Sequence, residues 1–131
     1  MRVVIVDDNI PLLEALGQLV TRAGHDVTTF SGFLPAKKYL ETARVDVLLT
    51  DVRLGAFNGL QLVMTAKKDY PETSAIVFSG FEDPVLRRDA AKLGATFCLK
   101  PVAAEQLLRS IECGDTPGSW ADRGSRGRAG R

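Results

Sequence analysis

The chain has 131 residues, enough for one domain with an ordinary hydrophobic core. Its hydrophobic fraction of 45% and charged fraction of 25% are those of a globular protein, and its net charge of +1 gives no general attraction to nucleic acid or membranes. Two cysteines, and no apolar run long enough for a signal peptide or a membrane span, predict a cytoplasmic protein without a disulfide framework.

Five short apolar runs alternate with segments of helical periodicity. The runs predict strands at residues 2–7, 26–30, 45–50, 74–78 and 95–99. The segments between and after them predict helices at residues 10–23, 33–43, 60–69, 84–93 and 103–112. Asp83-Pro84 is typical of a helix N-cap followed by proline at the first helical position, and Gly94 indicates the end of that helix. The third helix is expected to face inward through Leu60, Val63, Met64 and Lys67.

Short connections between strands and helices favour a parallel sheet, because right-handed crossovers place each helix on a face of the sheet. The sequence therefore predicts an α/β fold with helices on both faces. The segment from Val52 to Asn58-Gly59 is expected to be a loop. Apolar periodicity stops at Gly114, so we expect residues 1–113 to form the domain and residues 114–131 to be a flexible tail rich in glycine and arginine.

Polar residues close four of the predicted strands at one edge of the sheet. Asp7 and Asp8 follow the first strand, Asp51 the third, Ser79 the fourth and Lys100 the fifth. Sites in open parallel sheets form outside the carboxyl ends of the strands, where the strand order reverses. Five polar side chains at one such edge indicate a function, whereas one aspartate there would not.

Three carboxylates at this edge would repel one another, by roughly 4 kcal/mol for a pair ~4 Å apart at an effective dielectric of about 20. Mg²⁺ would relieve the repulsion, since it prefers oxygen ligands in a partly hydrated octahedral site. A carboxylate beside Mg²⁺ and a lysine can attack a phosphoryl group, because the cations neutralise charge on the transferring oxygens. The product would be an aspartyl phosphate, whose oxygens Ser79 and Lys100 could bind.

The combined pattern resembles the receiver domain of two-component response regulators over about residues 2–112. The matching motifs are Val6-Asp7-Asp8-Asn9, Leu48-Leu49-Thr50-Asp51-Val52 with Asn58-Gly59, Phe78-Ser79-Gly80 and Leu99-Lys100-Pro101. Each motif alone is weak evidence for the family. Together they align with the family pattern over the whole range, and this makes the combined pattern specific. The resemblance implies a flavodoxin-like fold, which is a doubly wound five-stranded parallel sheet in the order 2-1-3-4-5 with five helices.

The resemblance also implies roles for the residues at the sheet edge. Asp51 corresponds to the phosphoacceptor and Lys100 to the base that contacts the phosphate. Asp8 corresponds to a direct Mg²⁺ ligand and Asp7 to a water-mediated one. The backbone carbonyl of Arg53 corresponds to a further ligand.

Ser79 corresponds to the switch hydroxyl of the family and Phe97 to its switch aromatic. Pro101 corresponds to a proline that is often cis. Two positions depart from the family pattern: Leu54-Gly55 replaces a common Met-Pro, and Phe81 replaces a small or polar residue. We expect the first change to loosen its loop, and the second to keep water away from the acyl phosphate.

The resemblance implies a phosphorelay signalling protein and not an enzyme. A histidine kinase or a phosphotransfer protein would phosphorylate Asp51 and change the face of the fourth helix, fifth strand and fifth helix. A downstream protein partner, or an output domain missing from this chain, would read that face, and a homodimer is a further option. Arg87, Arg88 and Lys92 on the fourth helix are either a solvated face or part of this surface. No membrane and no direct nucleic-acid partner is expected.

Two other functions stay open at this point. A Mg²⁺-dependent phosphohydrolase with an aspartyl nucleophile usually has a second acid two residues past the nucleophile, where this chain has Arg53. A phosphorylation-independent scaffold would not need the full acidic set together with Ser79 and Lys100. Nucleotide binding is not indicated, because this chain lacks the glycine-rich motif that should follow the first strand. The only histidine, His25, is expected on a surface loop and indicates no zinc site.

Overall fold

The computed structural model describes residues 1–101 and 103–113. The strands are β1 (Arg2–Val6), β2 (Asp26–Phe30), β3 (Val47–Asp51), β4 (Arg53–Leu54), β5 (Phe57–Asn58), β6 (Ser74–Ser79) and β7 (Ala95–Leu99). The helices are α1 (Ile10–Arg22), α2 (Phe33–Thr42), α3 (Leu60–Asp69), α4 (Pro84–Lys92) and α5 (Ala104–Cys113). The predicted tail at residues 114–131 lies outside the described residues.

The main sheet has five parallel strands in the order β2-β1-β3-β6-β7, which is 2-1-3-4-5 when only its own strands are counted. The predicted fold is therefore confirmed. Helices α2, α3 and α4 cover one face, where they pack on Val4, Val6 and Leu48. Helices α1 and α5 cover the other face, against Val3, Ile5 and Leu49. Alternate residues of a strand point to opposite faces, so a strand buried on both faces is apolar throughout.

The strand register brings the carboxyl ends of the strands level with one another. Val6 pairs with Thr50, Asp51 with Phe78, and Ser79 with Leu99. The chain passes from β1 to β2 on one side and then to β3 on the other, so the strand order reverses beside β1 and β3. This reversal point is where ligand sites form in open parallel sheets.

Two helices begin at this edge with side-chain caps. The Oδ1 atom of Asn9 accepts the Leu12 amide at 3.1 Å in α1. The Oδ1 atom of Asp83 accepts the amides of Val85 and Leu86 at 3.0 and 3.3 Å in α4. These bonds satisfy amides that the first helical turn leaves unpaired. No helix in the described part of the chain combines the length and apolar character of a membrane span.

The expected inner face of α3 is wrong at Met64, and Lys67 is only partly buried. Leu60, Leu62, Val63 and Ala66 are buried, whereas Met64 is 56% exposed. Each residue turns about 100° around a helix, so the residue after Val63 lies beyond the edge of the buried stripe.

The segment expected to be a loop contains a small antiparallel hairpin. Arg53 pairs with Asn58, and Leu54 with Phe57. Gly55 has a φ of +64° at the first of the two central residues, as the favoured hairpin turns require. Leu54 is buried in the core. The loosening expected from the missing Met-Pro stays a prediction.

His25 also differs from expectation. It precedes β2 as predicted, but its side chain is only 10% exposed. Its Nε2 atom lies 3.3 Å from Oε2 of Glu112 near the end of α5. The turn before β2 is thus joined to the last helix, a contact between residues far apart in sequence.

Candidate functional site

The three predicted acids lie together at the carboxyl edge of the sheet. Asp7, Asp8 and Asp51 each offer a carboxylate oxygen, and these oxygens lie within 4.8 Å of one another. Asp7 is buried, Asp8 is exposed, and Asp51 is intermediate. Among the described residues, no other group of three acidic, histidine or cysteine side chains has this geometry.

Lys100 bridges two of the acids. Its Nζ atom donates to Asp7 Oδ2 at 3.2 Å and lies 3.4 Å from Asp51 Oδ1. The other oxygen of Asp7 accepts the backbone amide of Asn9 at 2.9 Å. Each oxygen of the buried Asp7 carboxylate thus accepts a hydrogen bond, as expected for a buried charge. The peptide bond between Lys100 and Pro101 is cis.

The carboxyl group of Asp51 has a pKa above its ordinary value. Partial burial is the main cause, and the charges of Asp7 and Asp8 add to it, while Lys100 acts in the opposite direction. One lysine therefore does not offset the burial and the two neighbouring acids. The oxygen donors and the partly solvated position of Asp8 fit a hard divalent cation that keeps some of its water.

The backbone of Asp51 is held tightly on the side of β3 and α3. A Cβ atom at Gly59 would overlap the carbonyl oxygen of Asp51 and would lie 2.9 Å from Thr50 Oγ1. The buried Thr50 hydroxyl donates to the same Asp51 carbonyl at 2.9 Å, and the Gly59 amide donates to the Val52 carbonyl at 2.6 Å. Asn58-Gly59, which the sequence indicates only as a turn, is therefore also a site of close backbone approach.

Arg53 begins the hairpin two residues past Asp51, and its side chain is exposed. Its guanidinium Cζ lies 5.5 Å from the ring centroid of Phe81, which is itself 65% exposed. This places a cation and an aromatic ring against each other on the segments that follow Asp51 and Ser79. The role of the Arg53 carbonyl as a metal ligand stays a prediction.

Ser79 is buried and its hydroxyl is used within its own turn. The hydroxyl donates to the Phe81 carbonyl at 2.9 Å and accepts the Phe81 amide at 3.1 Å. The Ser79 carbonyl accepts the Lys100 amide at 2.8 Å, which ties the ends of β6 and β7 together. The predicted switch hydroxyl thus lies at the edge that carries Lys100, but its proton points to a backbone oxygen.

Phe97 is partly buried and packs against the core face that α4 covers. The guanidinium Cζ of Arg87 lies 4.7 Å from its ring centroid. Glu82 accepts from Arg87 Nε at 2.9 Å and from Arg87 Nη2 at 2.8 Å. Sequence patterns did not show this contact, because Arg87 and Phe97 belong to different elements.

Known proteins resemble the chain in both sequence and structure. A family model for the response regulator receiver domain matches residues 3–112. The phosphoglycerate transport system transcriptional regulatory protein PgtA of Salmonella typhimurium is 29% identical over 111 residues, which cover 84% of this chain and 27% of that protein. The beryllofluoride-activated NtrC4 receiver domain dimer has a TM-score of 0.77 at 26% identity and covers 85% of this chain and 93% of that one. Chemotaxis response regulator CheY4 of Vibrio cholerae has a TM-score of 0.75 at 25% identity, with coverage of 85% and 95%.

The match concerns a single domain, since the chain spans about a quarter of the length of the first curated relatives that it matches. The matched range contains every predicted site residue, from Asp7 to Lys100. The strand order and the acidic edge agree with that match. The chain therefore belongs to the response regulator receiver domain family, and this membership implies a role in two-component phosphorelay signalling.

Proposed function

We propose that the chain accepts a phosphoryl group on Asp51 from a histidine kinase or a phosphotransfer protein. The observation that carries the proposal is the Lys100 ammonium 3.4 Å from Asp51, within a cluster of three carboxylates. A carboxylate nucleophile next to a fixed cation is the arrangement that phosphoryl transfer requires.

In the proposed reaction, an Asp51 oxygen attacks the phosphorus of a phosphohistidine. The new O–P bond forms as the N–P bond to the donor imidazole breaks, and the imidazole nitrogen then takes a proton from solvent. The reacting carboxylate must be ionised, and Lys100 favours its ionised form against the effect of burial. The same ammonium would then face an oxygen of the aspartyl phosphate.

We assign Mg²⁺ to the acidic cluster, with Asp8, Asp51 and the Arg53 carbonyl as direct ligands and Asp7 acting through water. Both oxygens of Asp7 already accept hydrogen bonds, from Asn9 and Lys100, which supports the indirect role. When bound, the ion would neutralise charge on the phosphoryl oxygens.

Signalling in this proposal depends on Ser79 and Phe97. The Ser79 hydroxyl would exchange its bond to the Phe81 carbonyl for a bond to a phosphoryl oxygen, and Phe97 would then rotate. A shift from 1:99 to 99:1 needs about 5.5 kcal/mol of differential interaction. Two to four charge-assisted hydrogen bonds of roughly 1.5–3 kcal/mol each would supply it.

The proposed partners follow from this switch. A downstream protein, or an output domain outside this chain, would read the face of α4, β7 and α5, and a second copy of the chain is an alternative reader. We propose residues 1–113 as the receiver unit and the reducing cytoplasm, where the buried thiol of Cys98 stays free, as its location. We do not propose turnover on a separate substrate, because Arg53 occupies the position of the second acid of aspartyl phosphohydrolases.

The test is to incubate the protein with Mg²⁺ and acetyl phosphate and to measure its intact mass. We expect the wild type to gain one phosphoryl group, and the gain to disappear with chelator and in Asp51→Asn. A wild type that binds Mg²⁺ but gains no mass would contradict the proposal and favour the scaffold function.

A further inference from the structure

We propose that Glu82 and Arg87 form a latch that holds Phe97 in the orientation of the unmodified protein and thereby sets how readily Asp51 is modified. The latch is the set of contacts among Glu82, Arg87 and Phe97. The inference rests on the proposed function of Asp51 and adds a regulatory contact to it.

The first contact of the latch is between Arg87 and Phe97. Arg87 lies in α4, and Phe97 lies in β7, where it pairs with Val77 of the neighbouring strand. The 4.7 Å between the guanidinium carbon and the ring centroid is within the range of a cation–π interaction. Any rotation of Phe97 away from α4 would break this contact, so the contact favours the observed orientation.

The second contact fixes the guanidinium itself. Glu82 uses one carboxylate oxygen for Arg87 Nε and the other for Arg87 Nη2, which is a two-pronged arrangement. Such a pair sets the orientation of the guanidinium plane and not only its position. Both side chains are about half exposed, at 50% and 51%, so the pair can open without burying an unpaired charge.

The latch is connected to Ser79 through the backbone. Glu82 directly follows Phe81, and the Ser79 hydroxyl makes two hydrogen bonds with the Phe81 backbone. When that hydroxyl turns to a phosphoryl oxygen, the segment that carries Glu82 loses the bond from the Ser79 hydroxyl to the Phe81 carbonyl, which is one of its two hydrogen bonds to this side chain. By linkage, opening the latch at Arg87 should in turn favour modification of Asp51.

The neighbouring Arg88 provides a matched control. It is on the same helix, and its side chain is 63% exposed. Its Nε atom lies 3.9 Å from Asp89 Oδ1. Replacing it removes the same charge from α4 and leaves the contact between Arg87 and Phe97 in place.

The test compares Arg87→Ala, Glu82→Gln and Arg88→Ala in two measurements. The first is the aromatic NMR signal of Phe97 without metal, assigned with Phe97→Leu. The second is the apparent affinity for beryllofluoride in Mg²⁺, followed by ¹⁹F NMR. Because the apparent affinity scales with the population of the competent state, losing one cation–π contact should raise it about two- to fivefold.

We expect Arg87→Ala to move the metal-free Phe97 signal toward that of the beryllofluoride-bound wild type and to raise the affinity. Glu82→Gln should do the same to a smaller extent, because the guanidinium keeps its place near the ring. Arg88→Ala should match the wild type in both measurements. The three side chains are each at least half exposed, so all three variants are expected to fold.

The latch would be overturned if Arg87→Ala and Arg88→Ala gave the same Phe97 signal and the same affinity while the wild type bound beryllofluoride. A lower affinity in Arg87→Ala would overturn it as well, since the contact would then stabilise the active orientation. A wild type that neither binds beryllofluoride nor takes up a phosphoryl group would instead overturn the proposed function of Asp51.

Discussion

The two sides of Asp51 are built from different kinds of contact. On the side of β3 and α3, the Asp51 backbone is held by a buried threonine hydroxyl and by the close approach of Gly59. On the side of β6 and α4, Ser79 is held by a local turn, and Phe97 by an exposed arginine. The first set consists of buried backbone contacts, and the second of side-chain contacts that can be exchanged for others.

This difference matches what the proposed phosphoacceptor and the proposed switch would each require. A nucleophile must stay within a fraction of an ångström of its productive position, and rigid elements with buried contacts provide this. A switch needs two arrangements of similar free energy, which weak and replaceable contacts provide. The comparison therefore predicts that substitutions on the two sides affect different properties: stability on one side and the equilibrium of the switch on the other.

The largest effect is expected from Gly59→Ala. Its Cβ would overlap the Asp51 carbonyl oxygen, so β3 or α3 must shift, and overpacking of this kind costs about 1–3 kcal/mol. Chemical denaturation should show this loss of unfolding free energy, together with slower phosphorylation by acetyl phosphate. Gly80→Ala is the control on the other side, because its Cβ would meet nothing within 4 Å. Equal losses of unfolding free energy in Gly59→Ala and Gly80→Ala would contradict the proposed difference between the two sides of Asp51.

A smaller effect of opposite sign is expected from Asp51→Asn. Burial raises the pKa of Asp51 in the folded protein, so its protonated form favours folding. That contribution is complete below the unfolded pKa of about 3.9 and is lost as the pH rises through the higher folded pKa. The variant should therefore be more stable than the wild type at neutral pH, by about 0.5–2 kcal/mol.

Thermal unfolding without divalent cations tests this prediction at two values of pH. The higher stability of Asp51→Asn relative to the wild type should be present near pH 7. It should shrink near pH 3, where the wild-type carboxyl group is protonated. Added Mg²⁺ should stabilise the wild type more than the variant, because the proposed Mg²⁺ site includes the Asp51 carboxylate and forms only in the folded protein. A variant less stable than the wild type at pH 7 would show that the ionised carboxylate supports the fold.

The smallest effect is expected from Phe81→Ala, which should shorten the lifetime of the aspartyl phosphate. Phe81 is 65% exposed and lies against the Arg53 guanidinium, so its loss should have little effect on the core. If Phe81 keeps water away from the acyl phosphate, as the sequence predicts, its loss should speed hydrolysis. We expect a lifetime shorter by about two- to tenfold, which is less than about 1.4 kcal/mol of activation free energy. Intact mass followed over time after donor removal measures it. Val85→Ala, another exposed apolar residue, should leave the lifetime unchanged.

The sequence alone determined the sheet and the place of its polar edge. Apolar runs that end on Asp7, Asp51 and Lys100 are local patterns, and strand alternation with short connections leaves few topologies. Because the carboxyl ends of parallel strands lie at one edge, these residues could be brought together before any coordinates were known. The cap at Asp83 is local as well, which is why the sequence could predict the start of α4 at Asp83-Pro84.

Only the tertiary structure decided which contacts these residues make. The pairing in the β4–β5 hairpin, the exposure of Met64 and the partial burial of His25 beside Glu112 depend on neighbours that no periodic pattern specifies. The same holds for the bond from the Ser79 hydroxyl to the Phe81 carbonyl and for the position of Arg87 over Phe97. Periodicity records which side of an element faces the core, whereas a contact between elements depends on how their side chains pack in three dimensions.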